Sequence, residues 1–357
     1  MFDVDFIIVG QGLAGSTLAL TLKQNNRSFI IIDNQPTNSS SLVASGISHP
    51  MSFKRIILSW KADILIPFSQ KFYFEQGGIL GENCYEKHKM LRFFSSIEEQ
   101  NKWHCKSADD IFKKILKESK FNLNAYSINN QYGFGEINLA GRLNVSKFIL
   151  LCRNYFYKSN QLIKSELDYS KIKYTNEGIL YKNIQAKNIV FCEGSSFLKN
   201  PFFNYLPSKL NKGEIITIES TELPKNLISK GCFLLPIKKN QYIVGSTYEH
   251  EDLSDKNTEI SRNILIEKLS KVGDFKYKII SQKNGIRPST IDRRPLVGEH
   301  PQIKNMYLFN GLGSKGVMLS PYFANQLVNY ILYNTELDPE ANISRFSKFY
   351  PASTVLD

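Results

Sequence analysis

The sequence has few cysteines, no long apolar run and no block of like charge. The five cysteines among 357 residues form an odd set without a Cys-x-x-Cys pair, which argues against a zinc site, a redox motif or a disulfide framework. No run reaches the roughly 18 consecutive apolar residues of a membrane span. The N-terminus begins with acidic residues and lacks the basic region of a signal peptide. These absences predict a protein of the reducing cytoplasm with no metal site and no membrane span.

The charge is strongly positive but dispersed. Lys and Arg number 45 against 33 Asp and Glu, which gives a net charge of +12. One interpretation is a polyanionic partner such as RNA or an anionic membrane. The other is a composition rich in Lys, Asn and Ile with no ligand behind it. Basic residues occur in short pairs such as Lys54-Arg55 and Lys238-Lys239, with no run of five, which favours the second interpretation and leaves the first open.

The N-terminus contains a βαβ pattern with a glycine-rich turn. Residues 5–9 and 28–32 are short apolar runs typical of buried strands, and residues 16–24 have helical periodicity. The turn between the first strand and the helix reads Gly10-Gln11-Gly12-Leu13-Ala14-Gly15, a Gly-x-Gly-x-x-Gly motif in its required context. This arrangement predicts a dinucleotide whose pyrophosphate lies at the helix N-terminus.

Each glycine of the turn has a separate expected role. Gly10 allows the tight turn, Gly12 lets the backbone approach the pyrophosphate, and Gly15 permits close packing of helix on strand. We expect Leu13 and Ala14 between them to contact the cofactor as well.

Asp33 follows the second strand and is the predicted ribose-binding acid. It lies 18 residues after Gly15, close to the expected spacing of about 20. Its carboxylate would accept hydrogen bonds from the 2′- and 3′-hydroxyls, which disfavours NADP, and Asn34 beside it is a further candidate contact. The βαβ unit alone does not distinguish NAD from FAD.

The remaining segments mix two kinds of sheet. Buried runs at 187–192 and 306–309 would extend a parallel sheet, whereas 214–219 and 231–247 alternate as antiparallel strands do. We predict an α/β protein in which a Rossmann-like domain is interleaved with an α+β substrate domain built on an antiparallel sheet. Further helices are predicted at 59–74, 145–157, 260–272 and 315–333, strands at 162–168 and 172–181, and a loop at 34–41. Residues 80–140 give no clear assignment.

The C-terminal motif resembles that of a known family. Asn310-Gly311-Leu312-Gly313-Ser314-Lys315-Gly316-Val317 resembles the closing motif of the D-amino-acid-oxidase-like family, which includes glycine oxidase and sarcosine oxidase. Ala44-Ser45-Gly46-Ile47 resembles its small-residue loop over the flavin, and Phe191-Cys192-Glu193-Gly194 its turn near the adenosine. Residues 212–214, 242–247 and 285–298 match in the same order. The resemblance implies FAD as cofactor.

The resemblance also implies how FAD is held. The helix that follows the closing loop would face flavin N1 and the C2 carbonyl, where reduced flavin carries negative charge that a helix N-terminus stabilises. The sarcosine-oxidase branch attaches flavin through a Cys where this chain has Ser289 and Thr290, so non-covalent FAD is expected. The implied domains are 1–75, 142–200 and 285–357 for FAD, and 76–141 and 201–284 for substrate. The residues implied to contact FAD, besides the N-terminal ones, are Ser45, Gly46, Ile47, Leu167, Gly194, Arg287, Gly311, Leu312, Gly313, Ser314, Lys315, Gly316 and Val317.

Arg287 is the expected substrate anchor. In glycine-oxidase-like members the matching Arg holds the substrate carboxylate, which a planar guanidinium binds in bidentate fashion. The alternative is a structural Arg that pairs with Asp292 or with a loop carbonyl. The resemblance further implies that Phe233 and Tyr248 face the substrate and that His49 faces the flavin, although ordinary packing is the alternative for each.

Three functions remain open at this stage. The first is FAD-dependent oxidation of a C–N bond in a small amino acid or secondary amine, by hydride transfer to flavin N5. The second is the same chemistry on a glycine-like adduct of tRNA, because Gly311–Gly316 also resembles the oxidoreductase half of a bacterial tRNA-modifying enzyme. The third is a non-catalytic flavoprotein subunit of a complex. The sequence leaves the electron acceptor and the oligomeric state open.

Overall fold

The computed structural model describes residues 2–36, 39–175 and 178–351. In chain order the strands are β1 (Phe2–Val9), β2 (Phe29–Asp33), β3 (Ile47–Ser48), β4 (Met51–Ser52), β5 (Ile57–Leu58), β6 (Tyr85–Phe93), β7 (Leu116–Glu118), β8 (Phe134–Leu143), β9 (Leu162–Lys164), β10 (Ile172–Thr175), β11 (Gly178–Tyr181), β12 (Ile184–Phe191), β13 (Asn211–Glu219), β14 (Leu227–Lys230), β15 (Cys232–Lys238), β16 (Gln241–Gly245), β17 (Lys278–Arg287), β18 (Leu296–Glu299) and β19 (Met306–Asn310). The helices are α1 (Leu13–Gln24), α2 (Ser40–Val43), α3 (Ala62–Leu80), α4 (Ile97–Ser107), α5 (Val145–Lys158), α6 (Glu259–Val272) and α7 (Gly316–Tyr333).

An eight-stranded sheet, sheet A, carries the N-terminal βαβ unit. Its main order is β10-β11-β12-β1-β2-β9, and β19 joins it beside β12 with β18 on its outer side. Strand β1 runs parallel to both β2 and β12. The inner strands are buried on both faces, which explains the unbroken apolar runs that end β1 and fill β2. The predicted parallel core is therefore confirmed.

A nine-stranded sheet, sheet B, is mostly antiparallel. Its main order is β17-β13-β16-β15-β14-β6-β8-β3, and β7 pairs with β8. One face packs on α6 through a core that includes Leu265 and Leu269. The opposite face contributes residues to the large cavity described below.

The chain alternates between the two sheets. It begins in sheet A, passes into sheet B with β3 and then β6 to β8, returns with β9 to β12, leaves again with β13 to β17 and ends in sheet A with β18 and β19. The interleaved α/β architecture is thus confirmed. The domain limits stay a prediction, and β17 continues past residue 284, so that Arg287 ends a strand of sheet B.

Several element limits differ from the sequence prediction. Helix α3 begins later than residue 59, because Lys61 adopts a left-handed backbone with φ 48°, and it continues to Gly81, a left-handed C-cap with φ 79°. The predicted loop 34–41 is wrong at its end, where α2 begins. The predicted strand 162–168 stops after residue 164, where the N–H of Ser165 turns back to the carbonyl of Ile163.

The segments 172–181 and 80–140 also resolve into separate elements. Residues 172–181 contain the antiparallel strands β10 and β11, and residues 176–177 between them lie outside the described residues. The segment 80–140, which gave no assignment, supplies β6, α4, β7 and part of β8. Among the described residues, no helix is both long and apolar enough to cross a bilayer.

Candidate active site

A cavity of about 880 Å³ lies where the two sheets meet. This volume falls toward the upper end of the roughly 300–1,000 Å³ range of ligand sites. Nearly all the site residues predicted from the sequence line it. They are Gly10, Gly12, Leu13, Ala14, Asp33, Asn34, Ser45, Gly46, Ile47, His49, Leu167, Gly194, Phe233, Tyr248, Arg287, Leu312, Gly313, Ser314, Lys315, Gly316 and Val317. The predicted residues Gly15 and Gly311 are not part of its lining.

The glycine turn between β1 and α1 has the geometry of a dinucleotide cradle. Gly10 has φ 93°, and a Cβ there would lie 2.7 Å from the carbonyl oxygen of Cys192. Gly12 is the N-cap of α1 and has no side chain to cap the helix; the N–H of Leu13 donates to Ser41 Oγ at 3.1 Å, and this positive end of α1 borders the cavity. Gly15 acts by packing, because a Cβ there would lie 1.9 Å from the carbonyl oxygen of Gly10. These features fit the pyrophosphate of FAD.

Asp33 is held rigidly at the end of β2. Its carboxylate accepts the N–H of Gln11 at 2.6 Å and that of Gln35 at 2.7 Å, and it lies 3.3 Å from the guanidinium of Arg153. The side chain is buried yet borders the cavity beside Asn34. A fixed carboxylate at this edge of the sheet can accept ribose hydroxyls.

The turn after β12 forms the other wall of this end. Glu193 accepts hydrogen bonds from Tyr169 and from Asn200 at 2.7 Å, and burial raises the pKa of its carboxyl group. Gly194 follows with φ 58°, and its carbonyl accepts a hydrogen bond from Asn310 at 2.9 Å. Tyr169, Glu193 and Arg153 line the cavity but were not predicted as site residues; only Glu193 lay within a quoted motif.

Two loops, around Gly46 and Gly313, form a further part of the cavity wall. Gly46 has φ 79° and a Cβ there would lie 1.8 Å from the carbonyl oxygen of Leu143, which holds the small-residue loop against β8. Gly313 has φ 53°, and its N–H donates to the carbonyl of Pro288 at 3.2 Å. Helix α7 begins behind it at Gly316 without a side-chain cap among the described residues. A second helix N-terminus is therefore aimed at this part of the cavity.

Gly311 serves the turn that leads into this loop. It has φ 72°, and a Cβ there would lie 2.9 Å from the backbone nitrogen of Leu296 on β18. Its contribution to the site is therefore the backbone path between β19 and α7.

Two titratable side chains border the middle of the cavity. Burial, together with Lys315 and Arg92, lowers the pKa of His49 to about 4, so its imidazole is neutral at pH 7. Partial burial at the wall, with Arg294 and Arg293 nearby, lowers the pKa of Lys315 to about 8. The Lys315 ammonium donates to Ser59 Oγ. Its charge adds to the positive end of α7.

Arg287 lies at the other end of the cavity. Its guanidinium donates to Asn211 Oδ1 at 2.7 Å, to Ser246 Oγ at 2.9 Å and to the carbonyl of Thr247 at 3.3 Å. It also lies 4.6 Å from the ring centroid of Tyr248, and burial lowers its pKa.

Asp292, a structural partner considered for Arg287, pairs with a different residue. Asp292 pairs with Arg345 at 2.8 Å, so the alternative of an Arg287–Asp292 pair is wrong. No carboxylate among the described residues forms an ion pair with Arg287. The guanidinium thus faces the cavity with neutral partners only.

The predicted aromatic residues occupy different depths. Phe233 lies on β15, and a Cβ at Gly245 would approach its ring to 2.7 Å, so the ring covers the neighbouring strand. Tyr248 is 62% exposed while lining the cavity, which places it at the mouth. Asn211, which was not predicted, faces Arg287 because the two are register partners on β13 and β17.

Comparison with known proteins identifies the family. Residues 163–330 match the family model described as FAD dependent oxidoreductase, and residues 5–51 match one described as FAD binding domain. The chain is 21% identical to glycine oxidase of Bacillus subtilis, with 94% of each chain covered. It is 24% identical over 91% of its length to the tRNA 5-methylaminomethyl-2-thiouridine biosynthesis bifunctional protein of Leptospira borgpetersenii, of which it spans 57%.

Solved structures agree in fold. Iminodiacetate oxidase of Chelativorans superposes with a TM-score of 0.79 at 16% identity, covering 94% of this chain and 98% of the other. Glycine oxidase of Geobacillus kaustophilus gives 0.76 at 17%, covering 94% and 96%. Fold, cavity and family models together define an FAD-dependent oxidoreductase. The chain is similar to the D-amino-acid-oxidase-like family of these enzymes, whose family model matches residues 163–330.

Proposed function

We propose that the enzyme oxidises the C–N bond of a small amino acid or carboxylate-bearing secondary amine, with hydride transfer to N5 of non-covalent FAD. The observation that carries the proposal is Arg287. A guanidinium that is half-buried, faces a cavity and has no carboxylate partner among the described residues is costly to maintain without an anionic ligand. A substrate carboxylate would supply that partner in bidentate geometry.

The surrounding residues support this arrangement. The N-terminus of α1 and the carboxylate of Asp33 suit the pyrophosphate and ribose of FAD, and the loop before α7 suits its ring. FAD, when bound, supplies the hydride acceptor. Arg287 would fix the carboxylate of the substrate, and Phe233 would exclude water from the part of the cavity that it lines. Ser289, where a thiol would be needed for covalent attachment, accepts a hydrogen bond from Asn211 at 2.8 Å.

An anaerobic reduction assay tests the proposal. FAD-loaded protein should lose its flavin absorbance with at least one amino acid or N-alkyl glycine in the absence of oxygen. Arg287→Lys keeps the charge but loses the bidentate fork, and Arg287→Met loses both. We expect Arg287→Met to reduce kcat/KM by about 30-fold to several thousand-fold, which corresponds to roughly 2–5 kcal/mol for a buried charge pair.

The control is Arg262→Met on the exposed surface of α6, which should leave kcat/KM unchanged. Flavin content and the unfolding midpoint of each variant should match the wild type, so that lost folding is not mistaken for lost binding. An unchanged KM in Arg287→Met would remove this residue from the substrate site. Absence of flavin reduction by every amine would overturn the proposed chemistry.

A second candidate substrate is a glycine-like adduct on tRNA. It is supported by the resemblance to the Leptospira protein and by the net charge of +12. It uses the same Arg287 chemistry and adds contacts to phosphates. Binding of modified tRNA that weakens steeply between 50 and 200 mM salt, by about 1,000-fold or more, would support it. Turnover of free amino acids with no measurable tRNA binding would exclude it.

The cytoplasm remains the proposed compartment. All the cysteines are free thiols, namely Cys84, Cys105, Cys152, Cys192 and Cys232. Free thiols are typical of a reducing environment. Labelling of intact and lysed cells with a membrane-impermeant thiol reagent would test this, because the exposed Cys105 should react only after lysis.

A further inference from the structure

One row of cavity-lining residues crosses five adjacent strands of sheet B. Arg92 is the register partner of Ser229, Ser229 of Phe233, Phe233 of Gly245, and Gly245 of Ile215. All five residues line the cavity. Because register partners on neighbouring strands project to the same face of a sheet, the row forms a continuous floor.

The middle of this floor is flat and apolar. A Cβ at Gly245 would lie 2.7 Å from the ring of Phe233 and 2.7 Å from the side chain of Ile215, so both side chains extend over this glycine. The floor there offers an aromatic surface with no polar group. A planar or aliphatic part of a ligand fits this surface.

Each side of the apolar middle has a guanidinium group. On one side, Arg287 reaches over Gly213, where a Cβ would lie 2.0 Å from its Nη2. On the other side, Arg92 donates to Ser229 Oγ at 3.1 Å. The two guanidinium groups therefore lie above β13 and β14, with β16 and β15 between them.

Arg92 is only partly satisfied by its protein neighbours. Glu99 lies 2.8 Å from its Nε and 2.7 Å from its Nη2, and the ring of Phe53 covers one guanidinium face at 4.7 Å. The contacts with Glu99 and Ser229 use three N–H groups, one on each nitrogen of the guanidinium. A guanidinium has five N–H groups in total, so two are left. The N–H groups left on Nη1 and Nη2 have no further hydrogen-bond partner among the described residues, and Arg92 borders the cavity.

We infer that Arg92 and Ser229 form a second substrate anchor, which selects N-substituted glycines with a hydrogen-bond acceptor or anion at the far end of the substituent. This inference rests on the proposed function, because it needs Arg287 to hold the glycine carboxylate. The substituent would lie across Phe233 and end at Arg92. Since Glu99 neutralises much of its charge, Arg92 acts here as a directed donor rather than as a bare cation.

The spacing of the strands sets the length of such a substrate. Gly213 and Ser229 lie on strands three spacings apart, about 14 Å, and Gly213 lies two residues, about 7 Å, along β13 from the row member Ile215, so the two positions are about 16 Å apart. A hydrogen-bond length of about 3 Å at each end leaves roughly 10 Å between the two polar ends of the ligand. Glycine is too short to span this distance, whereas a benzyl-sized substituent on nitrogen spans it.

A matched pair of ligands tests the second anchor without turnover. Benzyloxyacetate and 4-carboxybenzyloxyacetate carry an ether oxygen in place of the oxidisable amine and differ only in the distal carboxylate. Their Kd values are measured from the shift of the flavin spectrum in FAD-loaded protein. We expect wild type to prefer the distal carboxylate by about 10- to 100-fold, the range for hydrogen bonds to a charged group.

Two variants examine the anchor directly. Ser229→Ala leaves the Arg92–Glu99 pair intact, and Arg92→Lys keeps a cation for Glu99 while losing the fork. Both should lower the preference for the distal carboxylate by at least threefold and leave the Kd of benzyloxyacetate unchanged. Arg262→Lys on α6 is the control and should change neither value.

The outcomes separate this inference from the proposed function. Equal binding of the two ligands by wild type, or an unchanged preference in both variants, would overturn the second anchor. In that case, flavin reduction by any N-alkyl glycine would leave the proposed function in place. If no amine reduces the flavin and Arg287→Lys binds benzyloxyacetate as wild type does, the proposed function fails and the second anchor fails with it.

Discussion

Replacing Gly15 by alanine tests the close packing of α1 on the glycine turn. The new Cβ would lie 1.9 Å from the carbonyl oxygen of Gly10, whereas ordinary contact begins near 3.4 Å. The atoms must separate by about 1.5 Å, and α1 is fixed against α7 by the buried contact between Thr17 and Ser320. Overpacking of this kind costs about 1–3 kcal/mol, and we expect the upper half of that range.

Gly78 provides the matched control. It is also helical, it lies on the exposed side of α3, and its Cβ would meet nothing within 4 Å. Alanine there should stabilise the protein by about 0.5–1 kcal/mol. The same helical gain applies at Gly15, so the free energies of unfolding of the two variants should differ by about 2–3 kcal/mol.

Thermal unfolding with and without FAD measures the difference. An unfolding entropy of about 2.1 cal/mol/K per residue converts 2–3 kcal/mol to a Tm gap of about 3–4 °C for a chain of this length. Gly15→Ala should also release FAD more readily, because displacing α1 moves the N–H groups of its first turn. Equal Tm values and equal FAD retention for Gly15→Ala and Gly78→Ala would refute the packing argument.

Two further predictions concern charge at the site. Asp33→Asn should raise the Kd of FAD, measured by flavin fluorescence titration, by about 10- to 100-fold, the range for losing a charged hydrogen-bond acceptor. Asp5→Asn, in the middle of β1 and outside the cavity lining, is the control and should leave the Kd unchanged. A Kd for Asp33→Asn equal to that of the wild type would contradict the ribose role. Burial lowers the pKa of His49 from 6.5 to about 4 in the folded protein. Between pH 6.5 and pH 4 the unfolded chain therefore binds more protons at this residue than the folded protein does. The free energy of unfolding consequently decreases as the pH falls through this range. Urea unfolding of His49→Gln over this window should show a shallower fall than wild type, by on the order of 2 kcal/mol, and parallel curves would place His49 in contact with solvent.

The local features of the site could be predicted from the sequence because they depend on a few neighbouring residues. The turn Gly10–Gly15 and the acid Asp33 lie within one βαβ unit, whose order and spacing require no knowledge of distant contacts. FAD and the enzyme class followed from the resemblance of the C-terminal segments, and the comparisons confirm both. The roles of the individual site residues stay predictions.

The partners of Arg287 and the far side of the substrate end could not be predicted because they depend on which distant strands pair. Asn211 and Arg287 lie 76 positions apart and meet only through the register of β13 and β17. Strand β6 was not recognised because its last residues are buried on both faces, and a bulge between His88 and Met90 interrupts the alternation. The sequence therefore gave no indication that Arg92 lines the cavity.

The start of α3 also depends on contacts with residues that are distant in the sequence. Trp60 fits the helical periodicity of the segment that follows, yet it precedes the helix. Its ring stacks on Phe323 of α7 with centroids 5.7 Å apart, and its indole N–H donates to Glu340. A tertiary contact, and not local periodicity, fixes this residue.

The residues that line the cavity are spread along the chain from Val9 to Met318. Consequently, a ribosome must deliver this whole segment before the residues proposed to hold the pyrophosphate, the flavin ring and the substrate carboxylate coexist. Flavin capture would thus be a late event of biosynthesis. The yellow colour of bound FAD can therefore report that a newly made molecule has reached its complete tertiary structure.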